Sequence, residues 1–380
     1  MLTVFPNRPT GKLYPGYKRR LVQREKAPEG FELIRCFSFF SSKSRLISRF
    51  MENLSFGVIG GGAVLRVRCP DVIYSNTWPV LATGIVSAIA RLRRIPLVVS
   101  IQDIYPESLI YMGRIKPERL LSRLMKWIDG VIARGCHSVI VISDVFAELY
   151  RRERGVNPAR LRVISNWADS GAVTPNDKRA ATFRTEKNIP PDAFVILYGG
   201  NVGTAAGVEN LINAFARLRD IEQLYLVIAG QGSRIDACQE LARKLACPRI
   251  VFQQPWPKEQ TSTVLAAADV LILPTSGLQS LTSFPSKLIS YMLSARPIIA
   301  TADSRSDLAA IIEKSECGWV VESDQPGPLA ARIKEVMARD TSELIHRGEM
   351  GRSYALANLT REVCLPRVID VLQAAGANHA

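Results

Sequence analysis

The sequence is poor in the residues that build metal and disulfide sites. It has three histidines, His137, His346 and His379, far apart, and seven cysteines with no CxxC pair among them. That excludes a zinc site made from clustered Cys and His. In a chain of 380 residues it also argues against a disulfide scaffold and for a reducing cytosol. No apolar run reaches the roughly 18 residues that span a bilayer. The start, MLTVFPNRPTGKLYPGYKRR, lacks the basic-then-apolar order of a signal peptide. No GxGxxG follows a first strand with an acidic residue about 20 positions on, which argues against a dehydrogenase.

Acidic residues are scarce in the first half only. Residues 1–170 carry 27 Lys and Arg against 13 Asp and Glu, whereas the remainder carries 22 of each. The whole excess of +14 therefore sits at the front. A one-sided basic surface suits an anionic partner such as phospholipid headgroups or a pyrophosphate-linked substrate. The clusters Lys18-Arg19-Arg20 and Arg91, Arg93, Arg94 lack interleaved aromatics, so nothing points to nucleic acid. Residues 54–65, LSFGVIGGGAVL, hold four glycines and precede Arg66 and Arg68. They suit either a membrane surface or a buried core segment.

What is present is a repeated alternation. Short β-branched runs at 71–75 (DVIYS), 97–101 (LVVSI), 138–142 (SVIVI) and 161–165 (LRVIS) form one set of expected strands. A second set lies at 194–198, 224–229, 249–252, 270–274 and 297–301. They are continuous apolar runs, the mark of strands buried on both faces of a parallel sheet. Helical patterns such as 208–219 and 234–245 separate them, so βαβ units are expected. Residues 168–192 are polar and rich in Pro, Asp and Lys, and read as a linker. The expected fold class is α/β, with two doubly wound domains at 1–168 and 193–360, a linker at 169–192 and a final helix and tail at 361–380. Ligands in such sheets sit beyond the carboxyl ends of the strands.

Four motifs lie at such ends. YGGNVGTAAG follows the expected strand at 194–198, and places Gly199, Gly200 and Gly203 against a phosphate at the start of the next helix. AGQGS repeats the arrangement with Gly230 and Gly232, which serve either a ligand or only the turn. TSFPSKLISY places Ser283, Pro285 and Ser286 at a helix start and Lys287 in the first turn. A cation there opposes the helix dipole unless an anion is bound nearby. IQDIYPES ends a strand with Asp103 and Glu107, either acid–base groups or a helix cap and a surface carboxylate. Asn76 and Trp78 end the preceding strand.

Taken in order, DVIYSNTWP, VVSIQDIYPES, VISNWAD, LYGGNVGTAAGVENLINAF, VIAGQG, ADVLILP and SFPSKLISYMLSARPIIA resemble the retaining glycosyltransferases of family 4. The likeness is to the bacterial O-antigen, capsule and colanic-acid branch and covers almost the whole chain. It implies the GT-B fold of two facing Rossmann-like domains, with a C-terminal helix crossing back to the first. It implies transfer of a hexose or modified hexose from a nucleotide sugar to a lipid-linked oligosaccharide, with no metal and no cofactor. The donor would meet Gly199, Gly200, Asn201, Gly203 and Gly232, together with Ser283, Phe284, Pro285, Ser286 and Lys287. Asp103, Glu107 and Lys287 are the expected catalytic residues, Lys287 facing the leaving diphosphate. The expected location is cytoplasmic, peripheral on the inner face of the cytoplasmic membrane, on an anionic bilayer.

Three departures from the family pattern stand out. Its paired glutamates read Thr282 and Ser290 here, and its basic loop positions read Asn201 and Ala206. Only MLTV precedes the FPNRPTGK motif, so a first βα unit of roughly 40 or more residues is expected to be missing. The alternatives are a non-catalytic partner of a glycosyltransferase complex and a sugar-nucleotide epimerase.

Overall fold

The computed structural model describes residues 1–7, 12–39, 46–68, 70–77, 80–111, 113–175, 177–256, 258–282 and 284–377. Ser283, Trp78 and His379 lie outside the described residues. The chain forms two compact units. One comprises 1–110, 115–164 and 368–380, and the other 111–114 and 165–367.

In the first unit, β1 (Leu2–Val4), β2 (Val22–Lys26) and β3 (Glu32–Cys36) form a small sheet in the order β1-β3-β2. A second sheet, all parallel, runs β4 (Ile73–Asn76), β5 (Leu97–Ile101), β6 (Ser138–Val141), β7 (Leu161–Val163). β5 and β6 are buried at every residue, as their largely apolar sequences predict, Ser100 and Ser138 included. Strand β2 escaped the sequence reading because VQREK carries three consecutive charges on an antiparallel edge and buries none of its residues fully. Its Glu25 meets Arg35 of β3 at 2.6 Å. A cavity of about 670 Å³ lies between the edges β1 and β4, lined by Met1–Val4 and Ile73–Asn76.

Residues 54–65 belong to the helix Leu46–Arg66, which packs on the helix Val80–Leu92. Gly57 and Gly61 form the contact: a Cβ on either would lie within 3 Å of Ala82, Ile85 or Ile89. The glycines therefore serve close helix packing. Among the described residues, no helix is long and apolar enough to cross a membrane.

The second unit is one parallel sheet of β8 (Phe194–Gly199), β9 (Leu224–Ala229), β10 (Ile250–Gln253), β11 (Val270–Pro274), β12 (Ile298–Thr301) and β13 (Gly318–Val321). Their order is β10-β9-β8-β11-β12-β13. Chain order reverses between β8 and β11, so the ends of these two strands make the topological switch point where doubly wound sheets bind ligands. Ile196, Tyr198, Leu211, Phe215, Leu226 and Ile228 are among the side chains of the core on one face.

The expected linker is corrected. Residues 169–192 belong to the second unit and contain the helix Asp177–Glu186, with Ala180 and Phe183 buried. Arg184 ties it down through the Ala267 carbonyl and Asp269, both at 2.9 Å. The boundary between the units instead falls at Ile164 and Ser165. The last helix, Arg361–Ala377, starts in the second unit and continues, from Val368, in the first.

Candidate functional site

At the switch point, the end of β8 is clamped to the helix Lys287–Leu293 by two side chains four residues apart. Tyr291 is buried, and its hydroxyl accepts from the Gly199 amide at 2.7 Å and donates to the Gly199 carbonyl at 3.0 Å. Lys287 reaches the same loop. Its Nζ donates to the Tyr198 hydroxyl and, at 3.4 Å, to the Asn201 carbonyl, and stands 4.4 Å from the centre of the Tyr198 ring. The Tyr198 hydroxyl donates to the same Asn201 carbonyl at 2.6 Å. Residues i and i+4 share one helix face, so the pair Lys287 and Tyr291 was readable as a unit. Sequence reading assigned no role to Tyr198 or Tyr291 because a tyrosine in an apolar run reads as core.

Lys287 has no carboxylate partner among the described residues. Burial pulls its ammonium down to about 8 from an ordinary 10.5. A half-buried ammonium with a spare donor and no counter-charge is a ready anion site. Because the unfolded chain keeps the ordinary value, it binds more protons between about pH 8 and 10.5. The Lys287 contribution to stability of the unliganded protein therefore rises with pH across that window.

The glycines divide by role. Gly200 has φ +144°, and a Cβ on it would collide with the Lys287 side chain, so the residue makes room for the ammonium stem. The amides of Gly199 and Gly200 were expected to face phosphate. They are already used, by the Tyr291 hydroxyl and the Ala229 carbonyl. Among the described residues, the amides of Asn201 and Gly203, both also expected at the donor, have no such partner and are the loop's remaining donors. Gly199 also lies against Trp256: a Cβ would stand 2.6 Å from that ring.

Gly232 packs closely in the unliganded protein, since a Cβ on it would overlap the backbone of Val202. Gly230, at φ +141°, meets the Gly200 carbonyl in the same way. The two loops are thus seated backbone on backbone. Gly230→Ala should destabilise the protein by about 2–4 kcal/mol. Denaturant unfolding measures this, and a loss below about 1 kcal/mol would contradict the packing described.

The other motif residues are less converging. Phe284 is 7% exposed, its ring packed into the unit. Pro285 is half-buried and Ser286 exposed. Ser286 precedes the helix without capping it through its side chain. Thr282 is buried and Ser290 half-buried. The loop after β11 joins the loop after β8 through Ser276, whose hydroxyl donates to the Thr204 carbonyl at 3.2 Å.

In the first unit, Asp103 lies just past the end of β5, half-buried, with its carboxyl raised by desolvation. Asn76 is exposed at the end of β4, and its carbonyl accepts from Thr83 at 2.7 Å.

Glu107 is corrected: it is neither a surface carboxylate nor a free acid–base group. It is 6% exposed, and its Oε2 accepts from Arg154 at 2.7 Å while Oε1 lies 3.1 Å from Lys126. Arg154 also donates to Asp129 at 2.8 Å and to the Tyr105 carbonyl at 3.2 Å. Burial alone would lower the Arg154 guanidinium, but Glu107 and Asp129 more than offset it and hold it above its ordinary value. Glu107 is therefore a structural ion-pair partner beneath the β5 loop.

Two family models match the chain. The one described as Glycosyl transferase 4-like domain matches residues 20–167, and the one described as Glycosyl transferases group 1 matches 193–339. The chain is 28% identical over 337 residues to the probable glycosyltransferase WbjE of Pseudomonas aeruginosa, covering 87% of this chain and 82% of that one. It is 22% identical over 354 residues to the putative colanic acid biosynthesis glycosyl transferase WcaI of Escherichia coli K12, covering 91% and 85%. The solved structure of Anabaena Alr3699/HepE in complex with UDP superposes with a TM-score of 0.70 at 16% identity, covering 86% of this chain and 84% of that chain. At that identity the superposition speaks for the fold.

Proposed function

The chain belongs to the family 4 glycosyltransferases of GT-B fold, and from that premise we propose that it moves a hexose or modified hexose from a nucleotide sugar to a lipid-linked oligosaccharide during surface polysaccharide assembly. The observation that carries the donor half of this reading is Lys287, a desolvated cation without a counter-charge at the switch point. HepE, of the same fold, is in complex with UDP, and WcaI is named for colanic acid biosynthesis.

In the proposed reaction an acceptor hydroxyl oxygen attacks the anomeric carbon of the donor. The bond from that carbon to the diphosphate oxygen breaks, and the electron pair leaves with the diphosphate. The acceptor proton passes to the departing phosphate. Lys287 and the amides of Asn201 and Gly203 meet the charge that grows on the diphosphate. No metal is invoked. The acceptor is assigned to the first unit, and the enzyme to the cytoplasmic side of the membrane.

Calorimetry with a panel of nucleoside diphosphates tests the site. Above pH 8, the affinity of the diphosphate that binds should fall about tenfold per pH unit, because binding requires the charged ammonium. At pH 8 the measured enthalpy should vary with the ionisation enthalpy of the buffer, reporting uptake of about half a proton. Affinity flat from pH 8 to 9.5, with no buffer dependence, would place the diphosphate away from Lys287. Sugar isomerisation without any acceptor would favour an epimerase instead.

A further inference from the structure

We propose that the helix Leu120–Arg134 docks the first unit on an anionic lipid bilayer through an exposed apolar stripe. Leu120 is 81% exposed, Trp127 62%, Leu121 50% and Leu124 48%. Leu120, Leu124 and Trp127 follow the i, i+4, i+7 spacing, so they form one stripe along the helix. Large apolar side chains this exposed and this contiguous mark an interaction surface.

The stripe is not a frayed end. The opposite face of the helix is fastened by the buried residues Ser122, Asp129, Ile132 and Ala133. Ser122 donates to the Lys116 carbonyl at 2.7 Å, and Asp129 accepts from the buried Arg154 at 2.8 Å. The apolar side chains are held outward on a rigid support.

Charge selects the occupant. Lys116, Arg119 and Arg123 are exposed at the start and flank of the stripe, with Glu118 the acid among them. A bilayer bearing anionic headgroups matches both features at once. The acyl boundary takes the leucines, the headgroup level takes Trp127, and the phosphates take the guanidinium groups. Residues 54–65 and the basic clusters suggested themselves from sequence; in 54–65 the Gly57 and Gly61 face is committed to helix packing and Val58 and Leu65 are exposed, while the Leu120, Leu124 and Trp127 stripe is covered by nothing in its own unit.

The inference deepens the reading of a bilayer-borne acceptor and rests on it for its purpose, but its test does not depend on sugar transfer. The full chain is sedimented with vesicles of phosphatidylglycerol and phosphatidylethanolamine, and with vesicles of phosphatidylcholine. The wild type should pellet with the anionic vesicles. Leu120→Ser/Leu124→Ser/Trp127→Ser should bind them at least about tenfold more weakly with unchanged melting temperature. Arg119→Glu/Arg123→Glu should lose the preference for anionic lipid. A triple variant that pellets like the wild type overturns the proposal. So does a concentration-dependent dimer abolished by the triple substitution while vesicle binding persists, which would assign the stripe to a second copy. Diphosphate binding is measured on the same preparations. If it is absent while vesicle binding follows the pattern above, the donor reading fails and the docking surface stands.

Discussion

Lys287→Ala should lower kcat, read as nucleotide release from the donor, by about two to three orders of magnitude. The side chain brings a desolvated ammonium to the loop after β8, and its charge is unanswered in the unliganded protein. Negative charge grows on the diphosphate as the glycosidic bond breaks, so the interaction is stronger in the transition state than in the ground state. The loss should therefore fall on kcat more than on KM. Lys287→Arg should rescue poorly, because the stem passes over Gly200 and the Nζ fits against the Tyr198 hydroxyl, with no room given for a planar fork. The melting temperature separates chemistry from structure. Removing a half-buried cation that lacks a counter-charge should leave stability unchanged or raise it, since Tyr198 keeps its bond to the Asn201 carbonyl. An active, destabilised Lys287→Ala protein would make the residue structural.

Arg154→Leu should destabilise the protein by roughly 3–5 kcal/mol. The Arg154 side chain is fully buried and neutralises Glu107 and Asp129, which are themselves 6% and 3% exposed. Taking away the cation leaves Asp129 out of water without its counter-charge and Glu107 with Lys126 alone, at 3.1 Å. Desolvation, which already raises the Asp129 carboxyl, then acts there without the opposing pull of the guanidinium. The deficit is consequently full at neutral pH and shrinks as pH falls and the carboxylates protonate. Adding Glu107→Gln and Asp129→Asn should recover a large part of the loss, because the partners left behind carry no charge. Denaturant unfolding at pH 7 and pH 5 measures all three quantities. A loss under about 1 kcal/mol, with no pH dependence, would contradict the buried network.

The reach of the sequence can be judged from particular residues. The expected strands of the two parallel sheets lie within two residues of the observed ones, because strands buried on both faces must be apolar throughout. Strand β2 and the helix Asp177–Glu186 were missed for the opposite reason. The helix buries only a narrow edge, Ala180 and Phe183, and β2 buries no residue fully, so both sequences read as solvated. The helix Leu46–Arg66 was obscured by glycines whose use is close packing with a neighbour distant in sequence. At the site, Lys287 and Gly200 stood in motifs that local chemistry makes conspicuous. What remained hidden was partnership. Arg154 lies in a run of charges, 47 residues from Glu107, and only the fold brings the two together. The occupied amides of Gly199 and Gly200 likewise depend on Tyr291 and on β9, which no local pattern discloses.

The claim at the centre is that a nucleoside diphosphate sits beyond the ends of β8 and β11 with Lys287 as its cation. A crystal structure with the diphosphate that binds tightest in calorimetry addresses it directly. The account predicts the Lys287 Nζ within hydrogen-bond distance, about 2.7–2.9 Å, of a phosphate oxygen, with Asn201 or Gly203 donating to the same group. Phosphates bound elsewhere, with Lys287 still turned to Tyr198 alone, would contradict it.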